Sequence, residues 1–165
     1  MKRAGGRLHH KEFLAEPGID PRKGLLEKLT EIIPEDACIL AYNKSFEATV
    51  LKGLAECFPR KKKLIGTYID NMIDLADPFR KRDIYSWKQQ GAYSIKKVLP
   101  AFVKGMSYEG LEIADGGAAM QAYHEMCALM DKPKELANLR KSLLAYCKMD
   151  TLAMVRLLDV LRKKC

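Results

Sequence analysis

Asp150 heads an otherwise apolar helical stripe, and a carboxylate placed where a chain wants to bury hydrocarbon narrows the folds open to it. Residues 151–163 read as a helix. The four-residue step from Tyr146 to Asp150 continues to Met154, with Leu157 and Leu161 on the same face. Burying an ionised group on that stripe costs roughly several kcal/mol unless a partner or a cation offsets it. Two arrangements meet the requirement. Asp150 can cap a helix that starts at Thr151 after an earlier one over residues 134–146 has ended. Alternatively, it can bind a divalent cation while the Tyr146 hydroxyl orients a water.

Residues 38–42 form a short apolar run that reads as a buried strand, with Ile39, Leu40 and Tyr42 suited to a sheet. Polar residues follow, and Asn43 or Ser45 is expected to cap a helix over 45–57 that carries Val50, Leu51 and Leu54. Glu47 falls in its first turn, where an acid complements the helix dipole. With Ser45 as the cap, a capping box would need its acid at Ala48, so the dipole is the only ordinary role for Glu47. Open α/β sheets also place their chemistry at strand ends of this kind.

Asn43-Lys44-Ser45-Phe46-Glu47 resembles the second motif of the DEDD exonuclease superfamily, and Tyr146-Cys147-Lys148-Met149-Asp150 resembles its third motif in the tyrosine-containing form. Taken with Gly91-Ala92-Tyr93-Ser94-Ile95-Lys96-Lys97-Val98-Leu99-Pro100, the order of motifs is similar to the bacterial family called domain of unknown function 2779, over about residues 10–161. The resemblance implies a ribonuclease H-like exonuclease fold in the α/β class and hydrolysis of phosphodiester bonds from a 3′ end with two divalent cations. Mg²⁺ or Mn²⁺ suits such oxygen ligation better than zinc. On this reading Glu47 and Asp150 are metal ligands, Asp74 is a further candidate, and Tyr146 positions the nucleophilic water. Asn43, Phe46, Tyr93, Ser94 and Lys96 would contact substrate.

Two departures matter. Glu47 stands where the superfamily usually has Asp, reaching one methylene further. The first motif, Asp-x-Glu on the opening strand, is absent from all 165 residues. The expectation is therefore a single partial domain over residues 1–165, helix-rich because its first strands are missing. Such a chain has an incomplete two-metal site and is inactive alone. Its exposed sheet edge would pair with an upstream segment or with a second copy. The rival expectation is a noncatalytic nucleic-acid-binding or assembly module.

A formal net charge of +8 accords with a polyanionic partner, here a single-stranded 3′ end. The charge is clustered at Arg60-Lys61-Lys62-Lys63, Arg80-Lys81-Arg82, Lys96-Lys97 and Arg162-Lys163-Lys164. No run of about eighteen apolar residues exists to span a bilayer, so no membrane partner is expected. Five dispersed cysteines without a Cys-x-x-Cys pair argue for reduced thiols in a cytoplasm, with Cys147 a packing residue rather than a nucleophile. His9, His10 and His124 read as surface residues, and the residues before His10 could be vector-derived.

The remaining pattern predicts an edge strand over residues 8–14 and a helix opened by Asp20-Pro21. A helix or strand follows over 64–73 and ends at Asp74. Residues 77–113 are punctuated by Pro78, Gly91, Pro100, Gly105 and Gly110. Within that stretch Tyr85, Trp87, Tyr93 and Lys96 could grip unpaired bases and phosphate, ahead of a short helix from Ser94. Three helices over 118–130, 134–146 and 151–163 would close the chain.

Overall fold

Asp20 and Pro21 start the first helix, α1 (Pro21–Ile32): the Asp20 carboxylate accepts from the Arg22 amide at 3.0 Å, and the ring of Pro21 supplies a preset φ. The computed structural model describes residues 6–164. Met1 to Gly5, part of the expected vector-derived start, and Cys165 lie outside them. Strand β1 (Ile39–Ala41) leads into α2 (Ser45–Cys57), a 3₁₀ turn at Pro59–Lys61 and α3 (Lys62–Asp70). The chain then returns as β2 (Met72–Asp74). The strands are parallel, with Ile39 opposite Met72 and Ala41 opposite Asp74. Parallel pairing requires a crossover of this kind. The ambiguous stretch over 64–73 thus resolves into a helix that turns into a strand.

Packing explains the crossover. Leu26 of α1, Leu54 of α2 and Ile65 of α3 are buried together, and the Tyr68 hydroxyl donates to the Ile33 carbonyl at 2.7 Å, tying α3 to the end of α1. A second core gathers Leu75, Phe79, Val98, Leu99, Tyr108, Ala153 and Leu157. Its members come from α4 (Asp77–Arg80), α5 (Ile95–Phe102), the connecting loops and the last helix, α7 (Pro133–Arg162). A third core packs α6 (Gly116–Ala128) on α7 through Ala122, Met126 and Leu143.

Three expectations are corrected. Residues 134–163 were expected to form two helices broken before Thr151, but α7 runs unbroken for 30 residues. No Gly or Pro interrupts residues 146–151, so nothing stops the backbone ladder. Asp150 is consequently mid-helix and caps nothing. The expected edge strand over residues 8–14 is irregular. Its end is held by a side chain instead of a sheet: the Arg140 guanidinium donates to the carbonyls of Leu14 at 3.2 Å and Ala15 at 3.0 Å, and pairs with Glu16. Neither Ser45 nor Asn43 caps α2, since Lys44 occupies that position without a side-chain bond. The architecture is α/β at the level of a helix-rich chain around a two-stranded parallel sheet.

Among the described residues, no strand lies on the far side of β1. A groove of about 690 Å³ runs along it, walled by Ile33 and Leu40 on one side and Leu152, Met154 and Val155 on the other. The Ile39 amide donates to Asn71 and the Ala41 carbonyl accepts from Leu75, so these residues turn toward β2. Strand alternation turns Leu40 toward the groove. Hydrogen exchange followed by NMR should find the Leu40 amide exchanging about tenfold or more faster than those of Ile39 and Ala41. Equal protection at all three would show that this edge is covered.

Candidate functional site

The carboxyl ends of β1 and β2 bring Tyr42, Asn43 and Asp74 side by side, and α2 starts immediately beyond them. Asn43 has φ 66°, a left-handed conformation that Asn tolerates better than most residues. That turn aims the Asn43 amide at Asp74 Oδ1, 2.8 Å away. The same oxygen accepts from the Ala76 amide at 3.0 Å, while Oδ2 meets the Arg80 guanidinium at 3.3 Å. Asp74 is buried, and each of its oxygens is committed to a donor within the fold.

Glu47 projects from the first turn of α2. Its Oε2 is buried and has no hydrogen-bond partner among the described residues. Desolvation raises the carboxyl pKa, and the negative charges of Asp74 and then Asp150 raise it further. Two acids distant in sequence therefore act on Glu47.

Asp150 reaches this place from the middle of α7. It is stabilised on the apolar stripe by the Tyr108 hydroxyl, which donates to Oδ1 at 2.6 Å. Tyr108 is itself buried, and its ring lies 6.3 Å from that of Tyr146. Burial, followed by contact with Asp150, holds both phenols well above the usual tyrosine range. Both hydroxyls thus stay protonated and able to donate. Burial and then the charge of Asp74 do the same for Tyr42, whose hydroxyl donates to the Tyr93 carbonyl.

The substrate-contact candidates divide. Phe46 is 65% exposed on the outer face of α2, and Ser45 Oγ donates to Asn43 Oδ1 at 3.3 Å. The main chain of Tyr93 joins the acid site through Tyr42, while its ring is half exposed. Ser94 precedes α5 and offers its carbonyl to the amides of Lys97 and Val98. Lys96 is exposed and lies near enough to Asp115, the N-cap of α6, to help lower that carboxyl's pKa after its bond from the Ala118 amide. Cys147 is exposed on α7, and desolvation and then Asp150 raise its thiol pKa, the opposite of what a nucleophilic thiolate needs.

Sequence reasoning missed Tyr108, which lies 42 residues before Asp150 in an irregular stretch and belongs to no motif. It also read Arg80 only as part of a basic cluster. The acid six residues before Arg80 was a usable signal for that pair.

As a cation site the donor set is thin. Among the described residues, no three His, Cys, Asp or Glu side chains are grouped closely enough to hold a metal ion. With Asp74 committed to amides and Arg80, Glu47 and Asp150 remain, and two carboxylates do not make a two-metal centre.

The fold and these acids define a helix-rich α/β domain with its polar cluster at the strand ends. The chain belongs to the family described as Domain of unknown function (DUF2779), whose model matches residues 1–94. It is also similar to a Ureaplasma parvum serovar 3 protein named "Uncharacterized protein UU173", at 32% identity over 133 residues. That match takes in 73% of this chain and 17% of the relative, so the chain spans about a sixth of the relative's length. No solved structure matches.

Glu47 offers a test. An acid whose pKa rises on folding binds its proton more tightly in the native state, so the ionised group costs stability above that pKa, and the cost disappears as pH falls through it. Glu47→Gln should stabilise the protein at pH 7.5 by about 1 kcal/mol, a few degrees of melting temperature. The gain should shrink as pH falls toward about 4, the ordinary Glu range. Melting curves showing no gain, or one independent of pH, would reject the burial of an ionised Glu47.

Proposed function

We propose that this chain forms part of a metal-dependent 3′–5′ exonuclease-like domain of the ribonuclease H-like type, acting on nucleic acid and inactive by itself. The observation that carries the reading is the orphaned Glu47 Oε2, buried within the negative fields of Asp74 and Asp150. An unpartnered buried carboxylate oxygen calls for a proton or a cation. The motifs around Glu47 and Asp150 and the basic charge of the chain favour a cation and a phosphodiester.

In this reading Mg²⁺ or Mn²⁺ supplies charge for the attacking water and the leaving oxygen. Glu47 and Asp150 furnish some of the ligands, and Asp74 fixes the Asn43 turn. The protonated Tyr146 hydroxyl holds a water beside Asp150, while the Tyr108 hydroxyl fixes where that carboxylate points. Phe46, Tyr93, Ser94 and Lys96 steady the strand being degraded. The free edge of β1 is where an added strand would bring the carboxylates that complete the site. The exposed thiols accord with a reducing cytoplasm. Among the described residues no helix is long and apolar enough to cross a membrane.

The lack of a three-ligand group favours a second reading, a noncatalytic nucleic-acid-binding or assembly module. Fluorescence anisotropy with a labelled single-stranded oligonucleotide separates them. The nuclease reading expects salt-sensitive binding that Mn²⁺ strengthens by about tenfold. Glu47→Gln and Asp150→Asn should abolish that gain, and any trace of shortening from the 3′ end should be lost in Tyr146→Phe. Binding indifferent to Mn²⁺ and to all three substitutions supports the noncatalytic module. Failure to bind overturns both.

A further inference from the structure

Between α4 and α5 the chain builds a recess beside the acid site. It has a volume of about 160 Å³ and is lined by Arg80, Arg82, Tyr85, Gln89 and Tyr93, with Phe79 among its apolar lining residues. At ~30 Å³ per water it holds about five waters, the scale of one phosphate or one ring system. Its rim is fixed from within. Gln89 is 1% exposed, its Oε1 accepting from the Ser86 amide at 2.9 Å and its Nε2 donating to the Ala92 carbonyl at 3.2 Å. Two residues beside it, Arg82 at φ 63° and Gln90 at φ 52°, adopt left-handed conformations that side chains of their kind rarely take.

The charges in the recess are unequally committed. Arg80 is bound to Asp77 and Asp74, and Lys81 pairs with Asp77 at 3.4 Å. Arg82 has no ion-pair or hydrogen-bond partner for its guanidinium among the described residues. A planar guanidinium left open in a concave wall, beside two half-exposed phenol rings, matches a phosphate joined to a flat base. The recess also adjoins the acids. Arg80 lines it while holding Asp74, and the Tyr93 carbonyl takes the hydroxyl of Tyr42, which lies within the field of Asp74.

We propose that this recess binds one nucleotide unit of a single strand, its phosphate on Arg82 and its base against Tyr85 and Tyr93. It rests on the nucleic-acid reading of the neighbouring site and adds the place where a residue next to the cleaved bond is held. Trp87, the only tryptophan, stands 78% exposed on the 3₁₀ turn Trp87–Gln89 beside the recess and reports on occupancy.

The test is a Trp87 fluorescence titration of the full chain with adenosine 5′-monophosphate, inorganic phosphate and adenosine, in EDTA at low salt. Without metal, the outcome does not depend on whether Glu47 and Asp150 bind cations. The nucleotide should bind more tightly than either fragment. Arg82→Asn keeps a residue that tolerates positive φ and should weaken nucleotide binding by about tenfold, one lost charged contact. Tyr85→Leu should weaken the nucleotide but not inorganic phosphate, and Lys132→Gln, at a surface cation that pairs with Glu135 and does not line the recess, should change neither. Nucleotide affinity unaltered by Arg82→Asn and Tyr85→Leu overturns the proposal, as does an absence of binding. A recess that fails while Mn²⁺ still strengthens oligonucleotide binding leaves the acid site standing.

Discussion

The hydrogen bond from Tyr108 to Asp150 makes the rest of this structure possible. A 30-residue helix passes over the main core with Ala153 and Leu157 fully buried, and one turn earlier it carries a carboxylate. Without a donor, a carboxylate set against that core would be costly to keep there. A phenol from an otherwise irregular loop satisfies it in place. The same contact fixes the loop to α7 and sets Asp150 near the ends of both strands.

Polar and apolar requirements are met together there. Asp74 does what a cap or turn residue does, accepting from the amides of Asn43 and Ala76 so that both strand ends close without exposing main-chain donors. Arg80 neutralises it. Glu47 has no such arrangement, and its raised pKa reflects burial beside two other acids. The fold satisfies one acid with three donors and another with a phenol, and among the described residues it leaves the third with an unpartnered buried oxygen.

Much of this was legible in the sequence, for reasons tied to particular residues. Asp20-Pro21 marked α1, and the apolar run ending at Tyr42 marked β1 and the start of α2 at Ser45, because cap and period signals are local. Glu47, Asp74, Tyr146 and Asp150 stood out as carboxylates and a phenol at element ends or on an apolar stripe. The continuity of α7 was not legible, because Asp favours caps on average and its actual partner lies 42 residues away. The irregular course of residues 8–14 was hidden for the same reason: Arg140, more than 120 residues distant, supplies the donors a neighbouring strand would have given.

Whether residues 47 and 150 share one electrostatic environment is decided by titrating the Glu47 side-chain carboxyl by ¹³C NMR in the natural sequence and in Asp150→Asn. The structure predicts a Glu47 pKa above the ordinary glutamate range that moves down when the charge at 150 is removed. A Glu47 that titrates at its ordinary value, or is indifferent to the substitution, would contradict the convergence on which the functional reading stands.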